Sequence, residues 1–130
     1  MKLVFLIGFL AAFIHQIANA YTYSPAPNGG GWEYVTSSSD GKYVYAADVN
    51  GMFGVISSSD YGYHWTSPGN GLMGIYYQVV TSGDGKYVIG IHNSNADLSK
   101  DYGASYKGGV TSVHSAAISR SGQYMLLSLI

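Results

Sequence analysis

The 130-residue chain contains no cysteine, so no disulfide can staple its fold, and stability has to come from packing and from backbone hydrogen bonds in a sheet. Charge is scarce too: charged residues make up 10% of the chain and the formal net charge is −1. So small a balance gives no basis for binding nucleic acid or an anionic membrane. Arginine occurs once, at Arg120, and no Asn-x-Ser/Thr sequon is present. An apolar run of membrane-spanning length is missing as well. The longest, Leu3 to Ile14, follows Lys2 and precedes the small-residue triplet Ala18-Asn19-Ala20. A basic residue, a short apolar stretch and a small-residue triplet in that order form a secretory signal peptide over residues 1–20. The expectation is a secreted chain that begins at Tyr21 and has no stable membrane anchor.

What the chain does have is 18 Gly and 13 Tyr, a mixture suited to pleated strands joined by tight turns and poorly suited to amphipathic helices. Residues 21–31, with Pro25, Pro27 and Gly29-Gly30-Gly31, read as an irregular lead-in with no core of its own. Beyond it the sequence repeats. Val35-Thr-Ser-Ser-Ser-Asp40-Gly41-Lys42-Tyr43-Val44 returns as Val80-Thr-Ser-Gly-Asp84-Gly85-Lys86-Tyr87-Val88, one residue shorter before the Asp-Gly. A weaker copy follows at Ile118-Ser-Arg-Ser-Gly122-Gln123-Tyr124-Met125. The glycines Gly41, Gly85 and Gly122 stand 44 and 37 residues apart, close to the period of about 40–50 residues of a four-stranded repeat unit. Each lies between two β-rich runs, where a glycine supplies the positive φ of a hairpin turn.

A second element repeats downstream. Ser58-Ser59-Asp60-Tyr61-Gly62-Tyr63-His64-Trp65 and Ser99-Lys100-Asp101-Tyr102-Gly103-Ala104-Ser105-Tyr106 both fit Ser-x-Asp-x-Gly-x-x-aromatic. On these residues the chain resembles the Asp-box family of bacterial neuraminidase repeats, over nearly all of residues 32–130. The resemblance implies an all-β fold: a partial β-propeller of about two and a half four-stranded antiparallel blades, at 32–75, 76–110 and an incomplete 111–130. It gives Ser58, Asp60, Gly62, Trp65, Ser99, Asp101, Gly103 and Tyr106 structural roles. The short carboxylate accepts backbone N–H groups, the glycine permits a left-handed turn, and the aromatic ring packs on the sheet.

The strands expected from this reading fall near 32–37, 42–48, 52–57 and 63–67, then 76–82, 86–92, 96–99 and 104–107, then 111–119 and 123–130. Closed propellers need about four to eight blades, so the chain is either a fragment, one partner of a self-assembly that completes the ring, or a degenerate copy. The apolar ending Met125–Ile130, read as a buried strand cut before its turn, favours the fragment.

Few residues offer chemistry. Propellers of the sialidase type require an arginine triad, and Arg120 stands alone. Asp48-Val49-Asn50-Gly51 is similar to the stretch that carries a catalytic carboxylate in xyloglucan-cleaving propellers, making Asp48 the catalytic candidate if the chain is an N-terminal hydrolase fragment. Asn50 departs from that pattern, and the competing reading is a hairpin turn centred on Asn-Gly. His64, His92 and His114 show no ligand spacing. Around Asp97-Leu98-Ser99-Lys100-Asp101 the glycine comes one place late for a calcium loop and Gly108 takes the place of the closing glutamate. No metal and no cofactor is expected. What remains is aromatic: Tyr61, Tyr63, Tyr76 and Tyr77 are the candidate contacts to an extracellular glycan or protein partner.

Overall fold

The computed structural model describes residues 26–68 and 72–130, and the expected signal peptide and the start of the lead-in lie outside them. Among the described residues there is no helix, and nine strands form three antiparallel sheets. The first sheet, in the order β1-β2-β3, holds β1 (Trp32–Ser37), β2 (Val44–Asp48) and β3 (Val55–Ser58). The second, β4-β5-β6-β7, holds β4 (Tyr76–Thr81), β5 (Val88–His92), β6 (Asn95–Ser99) and β7 (Lys107–Thr111). The third pairs β8 (Val113–Ile118) with β9 (Met125–Leu129).

Several expectations change. The strand expected at 63–67 shrinks to a single bridge between Ser57 and Thr66, so the first sheet has three strands. The expected 104–107 strand forms later, at Lys107–Thr111, because the Ser-x-Asp-x-Gly turn occupies the backbone up to Ser105. The second sheet therefore runs past residue 110, and Ser112, at a φ of 60°, makes the corner into β8. Asn50-Gly51 is not the centre of a two-residue hairpin. Ala47 pairs with Val55, and residues 49–54 form a wider loop. The two-residue turn occurs in the second sheet instead, where His92 pairs with Asn95 and Asn93 and Ser94 both take positive φ, 44° and 60°, as such hairpins require.

Pairing also fixes the repeat register. Val35 faces Ala46 and Val79 faces Gly90, so Val79, not Val80, is the counterpart of Val35, and no residue is missing before Asp84. Each sheet carries the same irregularity, a register shift between Trp32 and Tyr34, Tyr76 and Gln78, and Val113 and Ser115. Glu33, Tyr77 and His114 are the extra residues of three equivalent bulges.

Side chains alternate across the sheets as a period of two dictates. On β2, Tyr45 and Ala47 turn toward the second sheet and join Val55, Tyr76, Val79, Val88 and Tyr106 in one buried cluster. On β5, Ile89 and Ile91 turn the other way, into a second cluster with Ala96, Val113 and Ala116. The middle sheet is covered on both faces, which is why β5 reads Val-Ile-Gly-Ile before its closing His92. The β9 strand, Met-Leu-Leu-Ser-Leu, is covered on one face only and is largely exposed.

The two junctions between sheets use the same devices. Ser39 N–H donates to Gly83 O, and Gly83 N–H donates to Arg120 O, each at 2.8 Å. These three residues hold equivalent positions in successive turns. The ring of Tyr43 lies against Gly85, where an added Cβ would come within 2.8 Å of it, and the ring of Tyr87 lies against Gly122, where the distance would be 2.4 Å.

Candidate functional site

Both Ser-x-Asp-x-Gly turns fold by local hydrogen bonding. Ser58 Oγ donates to Asp60 Oδ1 and accepts from Gly62 N–H, and Ser99 Oγ does the same with Asp101 and Gly103. The carboxylates then reach forward. Asp60 Oδ1 accepts His64 N–H at 2.9 Å and Asp101 Oδ1 accepts Ser105 N–H at 3.0 Å. Asp60 Oδ2 lies 2.5 Å from His64 Nδ1, and Asp101 Oδ2 accepts Ser105 Oγ at 2.6 Å. Tyr61 and Tyr102 sit in the left-handed region at φ of 64° and 59°, and each donates its N–H to the preceding turn, to Lys42 O and Lys86 O. The turns thus fasten the third strand of each sheet to the hairpin joining its first two.

Electrostatics follow from these donors. The backbone N–H of His64, then its ring and the Ser58 hydroxyl, hold the Asp60 carboxyl down to about 2. The Ser105 hydroxyl and N–H, with the Ser99 hydroxyl, lower Asp101. Asp40 and Asp84 are lowered in the same manner by Ser38 and Ser82 hydroxyls and the N–H groups of Lys42 and Lys86.

Asp48 is fully buried at the end of β2. Its Oδ1 accepts Gly31 N–H and Asn50 N–H, both at 2.8 Å, and its Oδ2 accepts Met52 N–H at 2.7 Å and Phe53 N–H at 2.9 Å. Burial raises its pKa, but the four backbone donors outweigh that and leave it below the usual carboxylate value. All the acceptor positions of this carboxylate are taken by its own loop and by the lead-in.

In the second sheet, the position of Asp48 is held by His92, and the carboxylate comes from Asp97 on the neighbouring strand. Asp97 Oδ2 accepts the Tyr76 hydroxyl at 2.5 Å and lies 2.9 Å from His92 Nε2. The rings of Tyr76 and His92 pack at 4.8 Å. Burial, then the bond to Asp97, pushes the Tyr76 phenol well above its ordinary pKa. Reading the sequence overlooks Asp97, although it carries one signal: a charged residue stands in β6 where β3 has Ile56.

The four candidate tyrosines therefore separate. Tyr76 is 1% exposed and belongs to the core, so it is withdrawn as a ligand contact: adjacent tyrosines in a strand point to opposite faces, and this one points inward. Tyr77, the bulge residue, is half-buried, and its hydroxyl accepts Ser94 N–H at 2.7 Å. Tyr61 and Tyr63 remain on the surface, 60% and 59% exposed.

Two grooves flank the molecule. One, of about 650 Å³, lies on the outer face of the first sheet and includes Trp32, Val35, Val44, Tyr61 and Trp65 in its lining. Trp65 Nε1 is buried there with no acceptor among the described residues. The other, of about 640 Å³, lies between the second sheet and β9, over Ile89, Leu98, Tyr106 and Leu127. Among the described residues no group of three or more His, Asp or Glu converges as a metal site would require. No protein-family model, curated protein or solved structure matches the chain.

Proposed function

We propose that this chain is part of a secreted β-propeller of the Asp-box type that recognises an extracellular carbohydrate or protein without acting on it chemically. The observation that carries the non-catalytic reading is the fate of the acids. Asp40, Asp48, Asp60, Asp84, Asp97 and Asp101 each commit at least one carboxylate oxygen to backbone N–H, hydroxyl or imidazole groups of the protein. A general acid or base must face a substrate proton within hydrogen-bond reach. Only Glu33, exposed on the first bulge, is left over. A glycosidase needs two carboxylates across its scissile bond, about 5–10 Å apart.

Support for the propeller comes from the repeated junction. The hydrogen bond and the Tyr-on-Gly contact that join the first sheet to the second also join the second to the third. The first strands β1, β4 and β8 lie beside one another, and the Gln78 side chain on β4 bonds both backbone groups of Ala116 on β8. Such an arrangement suits radial sheets whose first strands are innermost. Tyr61 and Tyr63, projecting beside the first Ser-x-Asp-x-Gly turn, are the surface available for stacking on a sugar ring or packing on a partner.

The test is a glycan array probed with the purified chain and with Tyr63→Ala. Binding to a defined glycan class that weakens about tenfold in the variant, the worth of one aromatic stack, supports the reading. Release of reducing sugar by the native chain and its loss in Asp48→Asn would replace recognition with hydrolysis.

A further inference from the structure

We infer that two copies of this chain pair head to tail, the exposed face of β9 in one copy filling the groove on the outer face of the first sheet of the other. This inference rests on the propeller reading above and names the partner of its open faces.

Each junction inside the chain joins a forward face to a backward face. The forward face of the first sheet offers Tyr43, Tyr45 and Ala47, and that of the second offers Tyr87, Ile89 and Ile91. The equivalent residues of the third sheet are Tyr124, Leu126 and Ser128. Among the described residues nothing covers them: Tyr124 is 70% and Leu126 73% exposed. The backward face of the second sheet receives its neighbour on Val79, Val88 and Tyr106. Their equivalents in the first sheet, Val35, Val44 and Trp65, line the open groove of about 650 Å³, and Val35 is 69% exposed.

The finer devices of the junction are also open at both ends. Gly85 and Gly122 each carry a tyrosine ring from the preceding sheet, whereas a Cβ built on Gly41 would meet only Tyr61 Cδ1, at 4.0 Å. That is the place Tyr124 of a second copy would take. The hydrogen-bond series from Ser39 to Gly83 to Arg120 leaves the Arg120 N–H at one end and the Ser39 carbonyl at the other with no such partner among the described residues. Joined between copies, they continue the series. Two copies of three sheets make six, within the range of about four to eight that closes a ring. In a closed ring of two, both junctions are used at once, so a heterologous contact ends in a dimer instead of a filament. Pairing would cover Tyr61 and leave Tyr63 as the tyrosine free for a ligand.

Mass by light scattering over a hundredfold range of concentration tests this on the purified full chain, on Leu126→Asp and on Val35→Asp. Both substituted side chains are exposed within one copy, so circular dichroism should match the native chain. The native chain should have the mass of two copies, and each variant should dissociate at least tenfold more readily, because a carboxylate would be buried without a partner. Mixing the two variants should restore part of the dimer, since one junction in the mixed pair has two native faces. A single-copy mass throughout, a ladder of growing masses, or a dimer that Leu126→Asp leaves intact would overturn the pairing. A single-copy chain that still binds its glycan would overturn the pairing and leave the recognition reading standing.

Discussion

At the end of the first two sheets that carries the Ser-x-Asp-x-Gly turns, corresponding hydrogen bonds agree to within 0.1 Å. At the opposite end the same places hold Trp32, Asp48 and Ile56 in one sheet and Tyr76, His92 and Asp97 in the next. A carboxylate is buried at this end in both, but it has crossed from the second strand to the third. Asp48 ties down a loop of backbone, residues 49–54, and Asp97 ties together side chains from two other strands. The turns repeat because their side chains bond to partners only two or four residues away, so the same short sequence closes the same hydrogen bonds. The opposite end depends on partners 17 and 21 residues away, and there each sheet has its own solution.

Removing the carboxylate should separate the two solutions most sharply. Asp48→Ala removes a buried carboxylate and leaves four part-buried N–H groups without their acceptor at once, and a cost of about 3–5 kcal/mol is expected in urea unfolding. Given the usual total of about 5–15 kcal/mol for a domain, this variant should be close to unfolding. A cost below about 1 kcal/mol would mean that water reaches the loop and that Asp48 is free for another role.

Substitutions of the turn glycines sharpen the comparison at the repeating end. Gly41 and Gly85 have nearly the same backbone, φ of 76° and 79°, so the left-handed strain on alanine is about 1 kcal/mol at each. Only Gly85 has a neighbouring sheet, with Tyr43 where the new methyl would go. At concentrations where the chain is a single copy, Gly85→Ala should cost about 2–3 kcal/mol and Gly41→Ala about 1, and the two costs should converge where copies pair. Equal costs would show that Gly41 also carries a covering ring, as pairing between copies requires.

These contrasts mark what sequence reading reaches. The Asp-Gly turns, the Ser-x-Asp-x-Gly turns and the all-β class were legible, because each rests on residue types at fixed local spacing. The bulges at Glu33, Tyr77 and His114 were not, since a bulge demands no residue type and three unlike side chains occupy it. Tyr76 and Tyr77 look alike in sequence, and only the pairing of Tyr76 with His92 shows which one turns inward. Asp97 falls in the expected 96–99 strand and is weighed only as the start of a calcium loop, although its partners are Tyr76 and His92. The absent strand at 63–67 has a related origin: Trp65 pairs with no strand, and the chain makes one bridge at Thr66 before leaving the sheet.

Within the second sheet, Tyr76→Phe keeps the ring in the core and removes one donor to Asp97, while His92 remains. A loss of about 1–2 kcal/mol is expected in urea unfolding. An unchanged midpoint would assign Asp97 to His92 alone and make the cluster less like the four-donor cradle of Asp48.

The smallest effect tests how alike the two turns are. Their carboxylates have folded pKa values below the unfolded one, so their contribution to stability is complete above about pH 4 and is lost as pH falls through the folded value. Stability should therefore be level from neutral pH to about pH 5 and decline below it, with Asp60 titrating near 2. His64→Ala removes the ring contact but keeps the N–H that is the larger cause, so the Asp60 midpoint in carboxyl NMR should rise part of the way and Asp101 should not move. Ser105→Ala removes the hydroxyl that comes first among the causes at Asp101, so there the rise should be the larger share of the shift. If the two variants move their carboxylates equally, imidazole and hydroxyl are interchangeable at this place, and the backbone geometry alone defines the turn. If Asp60 does not respond, the exposed ring of His64 is a bystander, free to face a ligand beside Tyr63.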